Sequence, residues 1–180
     1  MDIIQARIQA SFGHRKSSCH PAMVPYLMPR TALPIDLIDP DATQVSLDRA
    51  AGRLKALRSQ GAQLLWVGNP LSRVLLNTLH QQTGEPVIHH RWPGGLITNF
   101  DQVRQSPRGA LEGLQRRPEV LILLAPQTSH LALCEARKSG VEVMGVVDSN
   151  MDPEQIDVPI FGNDDARVAL AYYLHQINQR

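Results

Sequence analysis

The chain predicts an α/β fold, a parallel sheet covered on both faces by helices and preceded by an extended arm. Two observations carry this. First, short runs rich in Val, Ile and Leu at 63–67, 119–124 and 141–147 alternate with helical patterns at 45–57, 71–79, 131–138 and 166–177. Continuous apolar runs mark strands buried on both faces, and strands that alternate with helices build parallel sheets. Second, Pro21, Pro25, Pro29, Pro34 and Pro40 punctuate the region before residue 45. Proline has no amide donor and a fixed φ, so no long helix or central strand can persist between His20 and Asp41.

In chain order, residues 1–41 form an arm or hairpin that wraps the domain, and residues 42–180 form the core of a single domain. Phe12, Met23, Tyr26 and Leu27, interleaved through the arm, argue against a disordered tail. Helix 45–57 leads to strand 63–67, which Gly68 ends. Asn69 followed by Pro70 is an N-cap with proline at the first helical position, opening helix 71–79. A shorter strand follows at 86–90. Strand 119–124 stops at Ala125 and Pro126, Thr128 or Ser129 can cap helix 131–138, and Gly140 ends that helix. Strand 141–147 stops at Asp148, and Asn150 and Asp152 shape a turn into Pro153. Asn163 opens the last helix, with Asp164 and Asp165 opposing the positive end of its macrodipole. Together these elements predict a three-layer, flavodoxin-like sheet.

At 180 residues the chain is long enough for one core and hardly for two. Its net charge of +1 by itself argues against a nucleic-acid binder, but the average hides an uneven distribution. Residues 7–30 carry Arg7, Arg15, Lys16 and Arg30 with His14 and His20 and no acid, whereas 148–165 hold Asp148, Asp152, Glu154, Asp157, Asp164 and Asp165 with no base. This asymmetry predicts one face for an anionic partner and another for solvent or a basic protein. Cys19 and Cys134 are too few and too far apart in sequence for a disulfide framework, which points to a reducing compartment. No apolar run is long enough to cross a bilayer, and the first residues lack the apolar stretch of a signal peptide. No long Arg- and Ser-rich presequence precedes Phe12, so either none is needed or one is removed.

The segment 89–100, HHRWPGGLITNF, mixes residue types that a simple core would not assemble. Arg91 can pair with a phosphate, Trp92 offers an amphipathic ring, and Gly94 and Gly95 allow close approach or positive φ. Thr98 and Asn99 add small hydrogen-bonding groups. In the arm, His14, Arg15 and Lys16 can neutralise phosphates and Tyr26 can stack on a base. Parallel α/β sheets commonly bind ligands at strand C-termini, so the rival reading is an enzyme or regulator that takes a phosphorylated metabolite at that edge. The turn after 63–67, VGNPLS, has one glycine where a dinucleotide fingerprint needs three, and no GxxxxGK[ST] occurs. Ser72 and Ser129 read better as helix-start residues than as nucleophiles. His14, Cys19 and His20 lack an evident fourth ligand for zinc, and the GNDDA acids read as helix capping rather than metal binding. Neither a metal nor a cofactor is expected.

HHRWPGGLITNF resembles the signature of the ribosomal protein S2 family: HRW, a variable residue, GG, then LTNF after one more position. Two further blocks are similar in the same order. ASFGHRKSSCHPAMVPY at 10–26 resembles the family's FGH opening, and EARKSGVEVMGVVDSNMDPEQIDVPIFGNDDA at 135–166 resembles its EARK, VDTN-DP and PIPGNDDA blocks. The resemblance implies a non-catalytic structural constituent of the small ribosomal subunit, on its solvent side near head and neck, touching rRNA and neighbouring ribosomal proteins. It implies no membrane and no homo-oligomer. The residues expected to meet rRNA or a neighbour are His14, Arg15, Lys16, His20, Tyr26 and Arg30 in the arm, with His90, Arg91, Trp92, Gly94, Gly95, Thr98, Asn99 and Arg104 around the signature.

The chain also departs from that family. Bacterial members usually carry a long charged helical hairpin after LTNF, whereas here only 101–118 separate Phe100 from Glu119, broken by Pro107, Gly109 and Gly113. The projecting coiled coil is therefore expected to be absent. Pro93 replaces the family's usual leucine, and Cys19 and Ala22 stand near where it tends to have asparagine, proline and lysine. Lys16, Lys55 and Lys138 are the only lysines, an arginine-rich balance that fits an organellar ribosome. The mitochondrial matrix is favoured over a plastid or the bacterial cytoplasm.

Overall fold

A computed structural model describes residues 2–29, 32–105 and 113–179, without the side chain of Arg104. Its main sheet has five strands in the order β4-β3-β5-β6-β7: β3 Leu64–Val67, β4 Val87–Ile88, β5 Val120–Leu123, β6 Glu142–Val147 and β7 Val158–Phe161. β3 pairs in parallel with both β4 and β5, matching Val67 to Ile88 and to Leu123. This is the expected parallel α/β architecture of the flavodoxin-like type. Contacts cluster in two compact units, residues 1–58 with 145–180, and residues 59–144.

The 59–144 unit is built on β3, β4 and β5. All four residues of β3 and all four of β5 are buried, as continuous apolar strands should be. Trp66 is fully buried, and its indole N–H donates to Glu85 at 2.7 Å. After β3, the Asn69 side chain accepts from Ser72 N–H over a 3-10 turn at Pro70–Ser72, as the Asn-Pro pair predicts. Helix α3, Arg73–Thr83, follows and ends at Gly84, which is left-handed. Helix α4, Phe100–Arg104, is short. Among the described residues no helix intervenes between it and β5; Pro107 and Gly109, on which the expected loss of the coiled coil rests, lie outside the described residues. Helix α5, His130–Lys138, ends before Gly140 at φ +64°. The expected caps at its start do not form: Ser129 makes no side-chain cap, and the Thr128 hydroxyl donates back to Ala125 O.

The other unit holds the arm, where only a 3-10 turn at Pro21–Tyr26 and the short strand Ile35–Leu37 lie within the proline-punctuated stretch, as expected, and helices flank it. Residues Ile3–Ser11 form helix α1, capped by the Asp2 side chain. No amphipathic period announces it; small Ala6 and Ala10 are buried while Ile3, Ile4 and Ile8 stay exposed. α1 packs on helix α6, Arg167–Gln179. Strands β1, Phe12–Arg15, and β2, Ile35–Leu37, pair antiparallel as the arm's hairpin. Helix α2, Pro40–Ser59, begins five residues before the apolar pattern. Asp39 accepts from Asp41 N–H at 2.9 Å and Pro40 takes the first helical position, where its missing donor costs nothing. Strand β7 escaped sequence reading because Pro159 interrupts its apolar run. It is nonetheless tied down, its Phe161 N–H donating to Ser46 on α2.

Candidate nucleic-acid interface

Beyond β4 the chain turns through 90–99 around one carboxylate, that of Glu135 on α5. Glu135 accepts from Gly95 N–H at 2.6 Å, Ile97 N–H at 3.1 Å and Trp92 Nε1 at 3.1 Å, and also from the Thr98 amide. Burial alone would raise its pKa, but these donors outweigh it and hold the carboxyl below its ordinary value. Trp92, Leu96, Ile97 and Phe100 turn inward. Gly95 sits at φ +87°, and a Cβ there would lie 3.3 Å from Val103, so a side chain would strain both backbone and packing. Gly94 has open space at its Cβ position.

The loop is therefore rigid and presents a polar outer surface. Arg91, Gly94, Thr98 and Asn99 are exposed, and Arg91 makes no ion pair among the described residues. His90 is exposed, with its Nδ1 3.1 Å from Arg91 O. The Asn99 amide donates to Gln102 at 2.8 Å. Trp92 is no free stacking platform, since it is 8% exposed with its N–H engaged. Arg104 belongs to α4, and its side chain lies outside the described residues. Glu135 is the residue that sequence reading missed. The available signal was an acid flanked by Ala132 and Ala136, both buried on α5.

The arm distributes its expected contacts differently. Arg15 is exposed. His14 turns inward, its Nδ1 3.2 Å from Asp148 and its Nε2 3.3 Å from Asp165. The first contact has ion-pair length without hydrogen-bond alignment, since Nδ1 is buried with no aligned acceptor. Burial opposes protonation of His14, but Asp148, then Asp165 and Asp164, raise its pKa overall. Asp164 is pushed up to about 7 by burial and then by Asp148 and Asp165. Burial raises Asp148 as well, against the Ser149 amide and His14. The basic arm and the acidic C-terminal segment thus partly neutralise each other inside the fold, where sequence asymmetry predicted separate faces.

Gly13 lets β1 run against this turn, since a Cβ there would lie 2.7 Å from Ser149 Oγ. The predicted helix-end role for the acids also needs correcting. α6 begins at Arg167 with no acid in its first turn. Asn163 Oδ1 instead accepts from Asp165 N–H at 2.8 Å and Ala166 N–H at 3.0 Å, shaping the turn before the helix. Asp152 caps the 3-10 turn at Pro153–Gln155 as expected.

Of the remaining arm residues, Lys16 is half-buried. His20 Nδ1 accepts from Ala22 N–H. Tyr26 stacks on Phe161, ring centroids 3.9 Å apart, so one face of its ring is already covered. Arg30 lies outside the described residues. Among those residues no group of three or more His, Cys, Asp and Glu side chains converges as metal ligands.

Fold and site define a flavodoxin-like α/β protein whose sequence blocks are tied into two local carboxylate clasps, one of them presenting an arginine on a rigid loop. The chain belongs to the ribosomal protein S2 family, whose model matches residues 6–116 and 105–179. It is similar to the small ribosomal subunit protein uS2 of Dehalococcoides mccartyi, 28% identical over 198 aligned positions covering 89% of this chain and 80% of that one. The small ribosomal subunit protein uS2 of Porphyromonas gingivalis is 29% identical, with 89% and 70% covered, and that of Parabacteroides distasonis 29%, with 92% and 73% covered.

Proposed function

We propose that this chain is a non-enzymatic structural constituent of the small ribosomal subunit, where it binds rRNA and neighbouring ribosomal proteins. The observation that carries this is the Glu135-clasped loop, in which the family signature holds Trp92 inward and ties the Gly95 amide to Glu135, leaving the Arg91 cation outward with no ion pair among the described residues. A guanidinium on a rigid loop is suited to a phosphate oxygen pair. Arg15 at the end of β1 provides a second outward cation. The full chain should co-sediment with small subunits at moderate salt. Replacing Arg15 and Lys16 together should flatten the dependence of log affinity on log salt by about one to two units. An unchanged slope would move those residues to a protein interface.

The short connection between α4 and β5 and the arginine-rich composition support a mitochondrial home, although the relatives named above are bacterial proteins. Co-fractionation with mitochondrial rather than cytosolic small subunits tests this. The chain acts as a single copy per subunit, which quantitative mass spectrometry of purified subunits would check.

A further inference from the structure

At the C-terminal ends of β3, β4 and β5, residues from 67–70, 89–92 and 128–131 enclose a cavity of about 320 Å³. The strand order is β4-β3-β5, so the chain leaves β3 toward one side for β4 and returns on the other side as β5. Crevices at such reversals are where open α/β sheets bind ligands. The lining contains His89, His90, Arg91 and His130 and no carboxylate, a composition that favours an anion.

Two buried groups give this cavity more than charge. Ser129 and Asn69 line it, at 6% and 8% exposure. Asn69 Oδ1 is used by Ser72, but the Asn69 amide nitrogen and the Ser129 hydroxyl have no hydrogen-bond partner among the described residues. Neither atom is sealed from solvent, but His89 Nδ1, from the same lining, is buried with no hydrogen-bond partner among the described residues, a cost that a bound acceptor facing that nitrogen would relieve. The first turn of α5 begins beside them without a side-chain cap, so no side chain screens the positive end of its dipole.

We propose that this cavity is a phosphate subsite, with Arg91 and His130 at its mouth and the Ser129 hydroxyl and the first amides of α5 as fixed donors. Resting on the RNA-facing reading of loop 89–100, we assign its occupant as a backbone phosphate of RNA. A free phosphorylated small molecule would use the same donors, and competition separates the two sources.

The test follows backbone amide resonances of the full chain during titration with inorganic phosphate, at ionic strength held constant with chloride. Phosphate should shift the amides of Asn69 and of Ser129, His130 and Leu131. Arg91→Gln should weaken the response roughly tenfold. Ser129→Ala should weaken it severalfold with little change in melting temperature, because the hydroxyl has no partner to lose. Arg167→Gln, remote in the chain and absent from the lining, should leave the response unchanged. A short single-stranded RNA should shift the same amides and displace phosphate. Absence of phosphate-dependent shifts at these four amides would overturn the subsite, even if the chain still co-sediments with small subunits. Displacement by adenosine monophosphate but not by RNA would overturn the RNA assignment. Failure of the wild-type chain to co-sediment would instead count against the ribosomal reading itself.

Discussion

The Glu135 clasp and the His14 cluster both fasten a sequence block with carboxylates, yet the physics runs in opposite directions. Glu135 faces N–H donors from Trp92, Gly95, Ile97 and Thr98, so its negative charge is the stabilised form. Asp164 is buried facing Asp148 and Asp165, so it retains its proton, while burial raises Asp148 against the Ser149 amide and His14. The number of donors around a buried carboxylate, set against the number of neighbouring acids, decides whether the fold holds a charge or a proton.

The largest effect should come from removing the Glu135 charge. Glu135→Ala leaves several partly buried donors unsatisfied and should cost about 3 kcal/mol in urea unfolding. The sign of its pH dependence follows from the lowered pKa: its contribution is present above the ordinary 4.5 and is lost as pH falls through the lower folded value. If Glu135→Ala unfolds at the wild-type urea midpoint, the loop is held by apolar packing instead.

The His14 cluster should respond in the reverse sense. In the folded state Asp164 keeps its proton up to about 7, against an ordinary 3.8. The unfolded chain releases that proton earlier, so this contribution weakens as pH rises from about 4 to about 7. His14, raised above 6.5, acts in the same direction: its stabilisation is full below 6.5 and lost as pH climbs through the folded value. Asp164→Asn should therefore flatten the pH dependence of melting and raise stability at pH 8, by on the order of 2 kcal/mol. A variant no more stable than wild type at pH 8 would remove Asp164 as the source.

Smaller effects sharpen the same contrast. Asn163→Ala removes the acceptor for Asp165 and Ala166 and the donor to Gln9 O, and should cost about 1 kcal/mol by thermal unfolding. Adding or chelating magnesium should leave the melting temperature nearly unchanged if the acids serve architecture. A rise of several degrees with magnesium would mean that carboxylates such as Asp148 and Asp164 share an ion.

The parallel sheet was legible in the sequence because β3, β5 and β6 are continuous apolar runs, and Asn69-Pro70 and Gly140 marked helix ends through chemistry local to those residues. Helix α1 was not legible, since its buried positions are alanines and its isoleucines face outward. β7 was hidden by Pro159, and the early start of α2 depends on Asp39 and Pro40 outweighing an unpatterned first turn. In the candidate site, Arg91 and Gly95 could be picked out by residue type. Glu135 could not, because its role depends on α5 closing on loop residues that lie 38 to 43 positions before Glu135 in sequence. His14 read as a phosphate ligand for the same reason: its partners Asp148 and Asp165 are distant in sequence and close only in the fold.

The most direct test of the central claim, that the Glu135-clasped loop presents Arg91 to RNA, is the salt dependence of Arg91→Gln binding to small subunits depleted of this protein. One lost phosphate contact should lower the magnitude of the log-log slope by about one and weaken binding at moderate salt. A slope and affinity identical to wild type would show that Arg91 meets no phosphate, and the account of this loop as an RNA contact would fail.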